Sequence, residues 1–489
     1  MIVVIGGGAT GLGVAWDLVL RKIPVTVIEK GICGLGTSGR FHGLLHSGGR
    51  YAVTDPNAAK ECIEENSILQ KIAHSAIEAT GGYFVRKRDD DPHFENDWLE
   101  DCAHIGIPVE VLKGTSIREK FPFLSPEIVS AYHVPDGVLE GFVLIKMLAD
   151  AIVARGGSIL EHSQVTKVHA NAGAVNGVTV TGNGETTFIG CDAVVDATGP
   201  WVSETARLFG VEIDMIPTYG TMVIFANRRL DSVINRLKEP GDGDIFVPHK
   251  SVVILGTTSV VQESPEAPIP QRSEVQRLMT LGQELIPDLE QWRVLRAFNG
   301  VRPLYAGKHK PEKSKHVTRD FTVIDHTSLG GPRGTFSVVG GKWTTFRRMG
   351  ERTADVVCDY LNEDAPSISK TTLIDTHKTP AKAHDAPEAL LCECEGVKRS
   401  DLVGVDGSID KWRTETWFSM GPCQGTFCIH RVLGLRRELY PDENFDLELA
   451  KLRAERTKGF FPVGWGANVR EFALQRSVRL QTLSEEVDE

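Results

Sequence analysis

A glycine-rich turn near the start of the chain constrains the fold more than any other feature. It reads G-G-G-A-T-G from Gly6 to Gly11 and stands between a short apolar stretch, residues 2–5, and a helical apolar pattern over residues 12–20. In a G-x-G-x-x-G turn the first glycine, Gly6, permits a tight bend, and the second, Gly8, lets the backbone approach a pyrophosphate. The third, Gly11, lets the helix pack on the strand. The turn therefore predicts a βαβ unit that binds a dinucleotide.

An acidic residue at the end of the second predicted strand supports that prediction. Residues 24–29 read PVTVIE, and the carboxylate of Glu29 can accept the ribose hydroxyls of a dinucleotide. The alternative is an ordinary glycine turn beside a surface glutamate. FAD and NAD both present ADP to such a turn, so the turn by itself does not choose between them.

Three further turns of small residues favour FAD. Thr37 and Ser38 follow the first βαβ unit and could supply donors to the second phosphate. Turns at residues 197–201 and 340–345 would let more backbone approach an extended cofactor, although each of the three could be a plain loop. The predicted cofactor contacts beyond the first turn and Glu29 are Thr37, Ser38, Val165, Gly199, Gly341, Lys342 and Thr344.

The composition is that of a globular protein with several domains. The chain has 489 residues and a formal net charge of −11, which argues against nucleic acid as a partner and requires a local basic pocket for any anionic ligand. The sequence contains no run of about 18 consecutive apolar residues, so it predicts no membrane-spanning helix. Met1 runs directly into the first strand without a signal peptide, which predicts a cytoplasmic protein.

The nine cysteines form two groups, and their odd number without a secretion signal indicates reduced thiols. Five are scattered and interpreted as core residues: Cys33, Cys62, Cys102, Cys191 and Cys358. Four form a late C-x-C and C-x₄-C pair: Cys392, Cys394, Cys423 and Cys428. Four thiolates in two short-range pairs favour a [2Fe–2S] cluster. Structural zinc, for which C-x₂-C pairs are more usual, and unligated thiols are the alternatives.

The predicted fold class is α/β plus α+β: a Rossmann-like FAD-binding domain, an interleaved antiparallel-sheet substrate domain and a small helical [2Fe–2S] domain. The FAD-dependent oxidoreductase region spans residues 1–361. Its FAD-binding pieces are about 1–80, 142–212 and 320–361, and its substrate-domain pieces are about 81–141 and 213–319. A linker over 362–386, the [2Fe–2S] domain over 387–440 and a C-terminal segment over 441–489 follow.

Several longer motifs resemble one family. They are TSGRFHGLLHSGGRYAVTD over residues 37–55, VPDG at 134–137, LGTTS at 255–259, NGVRPL at 299–304 and GGKWTT at 340–345. On these motifs, and over nearly its whole length, the chain resembles the catalytic A subunits of bacterial anaerobic glycerol-3-phosphate dehydrogenases, in the D-amino-acid-oxidase-like superfamily. Its cysteine domain resembles the bacterioferritin-associated ferredoxin type, which binds [2Fe–2S].

The resemblance implies an enzyme that oxidises sn-glycerol 3-phosphate to dihydroxyacetone phosphate with FAD. Electrons would pass through the [2Fe–2S] cluster and companion subunits, including a membrane-anchoring iron–sulfur subunit, to membrane quinone at the cytoplasmic face of the cell membrane. By similarity to related single-subunit dehydrogenases, the residues around substrate and flavin would be Arg50, Tyr51, Arg302, Arg319 and Lys342. The resemblance also predicts a lysine immediately before Gly220, in the strand at residues 217–221. Tyr219 stands there instead, and no role is assigned to it.

The residue types suggest roles for a small dianion that carries a secondary alcohol. Guanidinium forks suit phosphate or alkoxide oxygens, so Arg302 and Arg319 are candidates, although either could be a surface arginine. Lys342 could hold charge on reduced flavin, and His46 is either a base or a hydrogen-bonded core histidine. The reaction would be hydride transfer from substrate C2 to flavin N5. The predicted catalytic residues are Arg302, Arg50, His46 and Lys342, and the predicted substrate contacts are Arg50, Tyr51, Arg302 and Arg319.

Two other functions stay open on the sequence. The stretch LHSG at residues 45–48 also resembles FAD dehydrogenases of 2-hydroxy acids such as 2-hydroxyglutarate, whose carboxylate would need only one guanidinium fork. A non-catalytic protein that serves electron transfer or scaffolding is the other alternative. Substrate profiling with and without the phosphate tests the first, and bleaching of bound flavin by any substrate excludes the second.

Overall fold

The computed structural model describes residues 1–113, 115–182, 184–305, 307, 320–374, 389–405 and 408–482. The helices are α1 Ala9–Leu20, α2 Pro56–Ile72, α3 Pro92–Ile105, α4 Thr115–Lys120, α5 Gly141–Ala154, α6 Val202–Thr205, α7 Arg272–Gln283, α8 Phe346–Leu361, α9 Arg399–Val403, α10 Ile409–Thr416, α11 Cys428–Leu439, α12 Asp446–Lys458 and α13 Asn468–Thr482.

The strands of the first half are β1 Ile2–Ile5, β2 Val25–Ile28, β3 Leu44–Leu45, β4 Ile77–Glu78, β5 Gly82–Lys87, β6 Glu110–Lys113, β7 Ile128–Val134, β8 Gly137–Leu139, β9 Ser158–Leu160, β10 Ser163–Asn171, β11 Ala174–Gly182, β12 Glu185–Gly190 and β13 Ala193–Asp196. Those of the second half are β14 Ile216–Ala226, β15 Val233–Arg236, β16 Ile245–His249, β17 Val252–Gly256, β18 Val260–Val261, β19 Val294–Leu304, β20 Phe321–Asp325, β21 Thr335–Gly340, β22 Leu390–Cys392 and β23 Val397–Lys398.

A six-stranded sheet forms the centre of the first domain, in the order β20-β21-β13-β1-β2-β9. β1 lies between β2 and β13, runs parallel to both, and has all four of its residues buried. Burial of both faces suits a parallel strand that is covered by helices. The helices α1 and α8 pack closely, since a Cβ on Gly350 would lie 2.3 Å from the carbonyl oxygen of Gly13. The predicted Rossmann-like domain is confirmed, and separated parts of the chain build its sheet.

A nine-stranded sheet is interleaved with the first in sequence. Its order is β18-β14-β17-β16-β15-β5-β7-β6, with β19 paired to β14. Neighbouring strands run antiparallel as predicted, apart from β15 and β5, which are parallel. In the long β14–β19 pair, Thr218 lies opposite Arg302. Phe225, Phe246 and Leu278 belong to the apolar cluster between this sheet and α7.

A small sheet positions the segment that precedes α2. β8 pairs with both β3 and β4, so that Leu44 lies opposite Val138. The segment from Gly36 to Tyr51 is thereby fixed between the two large sheets. A separate three-stranded sheet, β10-β11-β12, packs on the FAD-binding domain through Val165 and Val178.

The cysteine-bearing part folds as a small helical module with its own apolar core. β22, β23 and α9 to α11 enclose the side chains of Trp412, Phe418 and Val432, and α12 joins this core. Further along, Phe460 and Phe472 pack instead into the apolar cluster of the nine-stranded sheet. The C-terminal segment therefore ties the module to the substrate domain. The exact domain boundaries stay predictions.

The described start of the predicted linker packs against the first domain. Ile374 is 2% exposed, and its N–H donates to the Ile72 carbonyl at 2.8 Å. The Arg21 guanidinium donates to the Ala365 carbonyl at 2.7 Å. Residues 375–386 of that prediction lie outside the described part. In the described ranges, no helix combines the length and apolar character needed to cross a bilayer.

Candidate functional site

A cavity of about 500 Å³ opens where β1, β2 and β13 end. In open parallel sheets, ligands bind beyond the carboxyl ends of the strands. Most of the predicted site residues meet there. Those that line the cavity are Gly6, Gly8, Glu29, Thr37, Ser38, His46, Tyr51, Val165, Gly199, Arg302, Gly341 and Lys342.

The first glycine turn has the geometry that its sequence predicts. Gly6 adopts φ +106°, and a Cβ there would lie 2.7 Å from the Ala197 carbonyl oxygen. A Cβ on Gly11 would lie 1.9 Å from the Gly6 carbonyl oxygen, so this glycine lies outside the cavity and lets α1 pack against the turn. Gly8 has ordinary backbone angles and its missing Cβ would face only the Ser38 hydroxyl within 4 Å, at 3.2 Å. Its missing side chain therefore leaves the cavity side of the turn open.

Polar groups converge on the start of α1. The Ser38 hydroxyl accepts the Ala9 N–H at 2.9 Å, at the positive end of the helix dipole. The Glu29 carboxylate accepts the N–H groups of Gly7 and Gly31, each at 2.8 Å. Anions bind well at such helix N-termini, and a carboxylate beyond β2 suits ribose hydroxyls. This end of the cavity has the chemistry of an ADP site.

The turn that contains Gly340 and Gly341 forms another wall. Both glycines have positive φ, +79° and +82°, so their backbone can lie close to a ligand. The Lys342 ammonium lies 5.1 Å from the centre of the Tyr51 ring and 3.5 Å from the Ala58 carbonyl oxygen. Thr344 is fully buried behind this wall, where its hydroxyl accepts the His46 N–H at 3.2 Å. Thr344 therefore supports the site without lining it.

A second histidine, which the sequence did not indicate, accompanies His46 in the cavity. The centre of the His42 ring lies 6.0 Å from that of His46. His42 Nδ1 accepts the Leu44 N–H at 3.1 Å, so in the neutral ring Nε2 must carry the proton. Burial, and then the charges of Arg50 and Arg302, lower the pKa of His42 to about 3. At neutral pH His42 is therefore a hydrogen-bond donor and not a general base.

The Arg302 side chain is held by the loop after β17. One guanidinium nitrogen hydrogen-bonds the Thr257 hydroxyl and donates to the Thr258 carbonyl at 3.1 Å. A Cβ on Gly220 would lie 2.7 Å from the same nitrogen, so only glycine leaves room for it. The fork therefore has a fixed position at the cavity wall, which favours recognition of an oxyanion.

Arg50 lies behind the cavity wall. Its guanidinium donates to the buried Asp244 carboxylate at 2.8 Å and to the Gly241 carbonyl at 3.1 Å. Against the effect of burial, Asp244 raises the pKa of Arg50. Asp136 accepts the Ser47 N–H at 2.7 Å and fixes the turn that carries His46 and Arg50. Arg50 therefore contributes charge near the cavity without lining it, and Arg319 lies outside the described residues.

The cavity is also lined by residues to which the sequence analysis gave no role, among them Arg40, Phe41, His42, Trp201 and Glu204. The first three belong to the same segment as Ser38 and His46, so their place in the chain was a usable signal. Trp201 ends the small-residue turn at 197–201, which was singled out for its backbone alone, and nothing in the sequence distinguishes Glu204 from a surface residue. Tyr219 lies on β14, where burial and a hydrogen bond to Glu274 raise its pKa.

The four late cysteines meet inside the helical module. Hydrogen bonds from the Cys428 thiol lower the pKa of Cys392 to about 7 and that of Cys423 to about 5. The thiols of Cys394 and Cys423 are also hydrogen-bonded. All four are free thiols. In this arrangement the described residues contain no group of three or more His, Cys, Asp or Glu side chains that could hold a metal ion. The thiols are thus neighbours that hydrogen-bond to one another.

Two relatives from different organisms are similar to the chain from end to end. The A1 subunit of the anaerobic glycerol-3-phosphate dehydrogenase from Haloferax volcanii is 37% identical over 100% of this chain and 91% of the relative. The A subunit of the anaerobic glycerol-3-phosphate dehydrogenase from Escherichia coli K12 is 33% identical over 98% of this chain and 95% of the relative.

Two solved structures share the fold of the first two domains. The glycerol-3-phosphate dehydrogenase from Bacillus halodurans, complexed with FAD, aligns with a TM-score of 0.58 and 21% identity, over 76% of this chain and 66% of that chain. The L-α-glycerophosphate oxidase from Mycoplasma pneumoniae, with FAD bound, has a TM-score of 0.59 and 18% identity, over 75% of this chain and 95% of that chain. These likenesses support the fold alone.

The family follows from a match over most of the chain. A model of the FAD dependent oxidoreductase family matches residues 1–347, which include both large sheets and the whole cavity. With the relatives of similar length, this match places the chain among the FAD dependent oxidoreductases, in the family formed by the A subunits of anaerobic glycerol-3-phosphate dehydrogenases.

Proposed function

We propose that this protein is the catalytic subunit of a quinone-linked dehydrogenase that oxidises sn-glycerol 3-phosphate to dihydroxyacetone phosphate with FAD. The observation that carries the proposal is the single cavity that holds both a dinucleotide turn and a fixed guanidinium fork, Gly6 to Gly11 at one end and Arg302 in another wall. The names of the full-length relatives agree with this assignment. The 2-hydroxy acid alternative is an outcome of the test below.

The residues of the cavity fit FAD. A Cβ on Gly8 would occupy the approach to the start of α1, where N–H groups and the Ser38 hydroxyl suit a pyrophosphate. Glu29 suits the ribose, and the walls formed by Val165, Gly199 and Gly341 extend the cavity well beyond an ADP moiety. When bound there, FAD supplies the acceptor for the substrate's hydride.

The protein's own residues would bind and orient the substrate. The Arg302 fork would hold an anionic oxygen, and Tyr51, which also lines the cavity, would help to position it. His42, as a neutral donor, would hydrogen-bond the oxygen that becomes a carbonyl. His46 would take the hydroxyl proton, and the Lys342 ammonium would stabilise negative charge at the glycine turn. Each role follows from position and residue type.

An anaerobic titration tests the substrate. Purified protein should lose its yellow flavin absorbance on addition of sn-glycerol 3-phosphate, because two electrons enter the flavin without oxygen to remove them. Equal concentrations of glycerol and of 2-hydroxyglutarate should leave the absorbance unchanged, since neither provides a phosphate for the basic pocket. Bleaching by the hydroxy acid alone would transfer the assignment to that class. Bleaching by none of the three would overturn the proposal.

The cysteine module would hold a [2Fe–2S] cluster. Each of the two irons in such a cluster binds two thiolates, so the site requires two pairs of neighbouring cysteines. The four sulfur atoms need not meet at a single point. The contacts Cys392–Cys428 and Cys394–Cys423 supply two such pairs. Backbone N–H groups of Gly425 and Phe427 donate to Cys423, as is usual around cluster sulfur. The four cysteines therefore supply the donor set of a four-thiolate cluster, and their side chains would have to move apart to bind it.

Removal of one cysteine tests the cluster. Anaerobically prepared protein should contain about two irons and two sulfides per chain, and Cys392→Ser, Cys394→Ser, Cys423→Ser and Cys428→Ser should each lose them. Cys102→Ser is the matched control, because Cys102 is buried, as are Cys392 and Cys428, but belongs to the separate apolar cluster that contains Trp98. Iron and sulfide should be measured together with flavin content, which should not change. Stoichiometric zinc without iron would identify a different metal.

Companion subunits would carry the electrons onward. Both full-length relatives are named as one lettered subunit of a dehydrogenase, which implies partner subunits. Phe427, which stands between Cys423 and Cys428 in the sequence, is 64% exposed and offers an apolar contact for such a partner. We place the protein on the cytoplasmic face of the cell membrane, bound there through a membrane-anchoring iron–sulfur subunit.

The isolated chain should therefore reduce soluble dyes but not membrane quinone. A dye collides with the flavin or the cluster directly, whereas a quinone in a bilayer needs a protein that reaches it. Rates with phenazine dye and with quinone in detergent, measured on the same preparation, check this expectation. Efficient quinone reduction by the isolated chain would contradict it.

A further inference from the structure

Ion pairs join the cysteine module to the FAD-binding domain. The Lys411 ammonium lies 3.1 Å from the Glu161 carboxylate, and that of Lys146 lies 3.2 Å from the Glu415 carboxylate. On the substrate domain, the Ser251 hydroxyl donates to the Glu395 carboxylate at 2.6 Å. The module therefore has a defined position against both domains.

An aromatic contact lies at the centre of this junction. The ring centres of His249, at the end of β16, and Trp417, at the end of α10, are 4.9 Å apart with the planes tilted by 37°. The Lys250 ammonium lies 4.7 Å from the centre of the Trp417 ring. His249 and Trp417 belong to different domains, so their contact is part of the docking surface.

His249 reaches the wall of the flavin cavity. A Cβ on Gly43 would lie 2.4 Å from His249 Cδ2, so the imidazole packs directly on the Gly43 backbone. Gly43 has φ +88°, a conformation that favours glycine. Its neighbours His42 and Leu44 line the cavity. One side of this backbone thus faces the cavity, and the other contacts His249.

Trp417 continues from this contact to the cysteines. It adopts φ +63°, uncommon for a residue with a side chain, and its carbonyl accepts the Met420 N–H at 3.1 Å. The Ser419 N–H, two residues on, hydrogen-bonds the Cys392 sulfur. The indole N–H of Trp417 is buried and has no hydrogen-bond partner in the described part of the chain. The indole is therefore held by packing between His249 and the turn that supports Cys392.

We propose that Trp417 is the positioning residue that docks the cysteine module on the flavin cavity, and that the packed series Gly43, His249 and Trp417 connects the two redox sites. The inference rests on the proposed function, in which FAD and a [2Fe–2S] cluster occupy those sites. Each substrate oxidation removes two electrons and two protons. With FAD in the cavity and a [2Fe–2S] cluster on the four cysteines, the two electrons would pass one at a time to the cluster. A one-electron carrier in a companion subunit would accept each of them in turn. The protons pass to solvent.

Replacement of Trp417 tests this role in the complete protein. In Trp417→Leu, loss of the aromatic pair should weaken docking by about tenfold, whereas Trp417→Phe should retain most of it. Hydrogen exchange in residues 245–256 should then be faster by a similar factor. After rapid mixing with sn-glycerol 3-phosphate, flavin bleaching should keep its wild-type rate, whereas cluster reduction, followed by electron paramagnetic resonance, should be slower by about tenfold. Phe188→Leu, which removes an aromatic–histidine contact with His169 on the separate three-stranded sheet, is the matched control and should change neither rate.

The outcomes separate this inference from the function on which it rests. If the wild-type protein contains no iron, or if sn-glycerol 3-phosphate does not bleach its flavin, the proposed function is refuted. If Trp417→Leu retains both cofactors and its cluster is reduced at the wild-type rate, the proposed role of Trp417 is overturned. If Trp417→Leu does not retain its cluster, His249→Leu gives the same test from the other domain, where no cluster ligand is near in sequence. Slower cluster reduction there supports the inference, and an unchanged rate refutes it.

Discussion

Gly8→Val should fold and lose its flavin completely. The backbone at Gly8 has φ −80° and ψ −178°, an extended conformation that valine adopts without strain. A Cβ there would meet only the Ser38 hydroxyl, at 3.2 Å, so the protein can accept the side chain. The remaining methyl groups would fill the space in which a pyrophosphate approaches the start of α1. Absorbance should therefore show that the flavin is lost, whereas circular dichroism should show that the fold is unchanged.

The choice of Gly8 follows from its contrast with the other glycines of the turn. A Cβ on Gly11 would overlap the Gly6 carbonyl oxygen, so a variant there would damage the fold itself. Gly434→Val is the matched control, because Gly434 is an exposed position of α11 whose Cβ would meet nothing within 4 Å. That variant should retain flavin. Full flavin occupancy in Gly8→Val would mean that the cofactor binds elsewhere.

The sequence was most informative where a local pattern has one structural solution. The run from Gly6 to Gly11 requires close backbone contacts, and the structure places Gly6 and Gly11 against backbone atoms that leave no room for a Cβ. The spacing of Cys392, Cys394, Cys423 and Cys428 likewise predicted that the four thiols lie close together. Each of the two motifs is short, and only a small module separates them along the chain. Such features depend on few residues that are close in the chain.

The sequence was least informative where contacts join distant segments. Arg50 was expected beside the substrate, but its partner Asp244 lies on another segment and draws the guanidinium behind the wall. His42 looked no different from His46, and only the hydrogen bond from Leu44 and the nearby arginines define it as a neutral donor. The docking of Trp417 on His249 also depends on tertiary structure alone.

The fixed position of Arg302 gives the most informative variant of the substrate site. Pro303 follows it and biases Arg302 towards an extended backbone in β19. The guanidinium also donates to the Thr258 carbonyl at 3.1 Å and lies 3.5 Å from the Ser259 hydroxyl. A fork held in this way loses little entropy when it binds an oxyanion. A lysine has one nitrogen and cannot satisfy the loop and the substrate together.

Arg302→Lys should therefore reduce kcat on the order of 10²–10³-fold, the range observed when one oxyanion donor is lost. Flavin and iron content should stay at wild-type values, because neither predicted cofactor site uses this side chain. Arg277→Lys is the matched control, since Arg277 is 61% exposed on α7 and pairs with Asp242. If Arg302 holds the phosphate equally in ground and transition states, KM will rise while kcat is unchanged. That result would assign Arg302 to substrate binding, and wild-type values of both constants would remove it from the site.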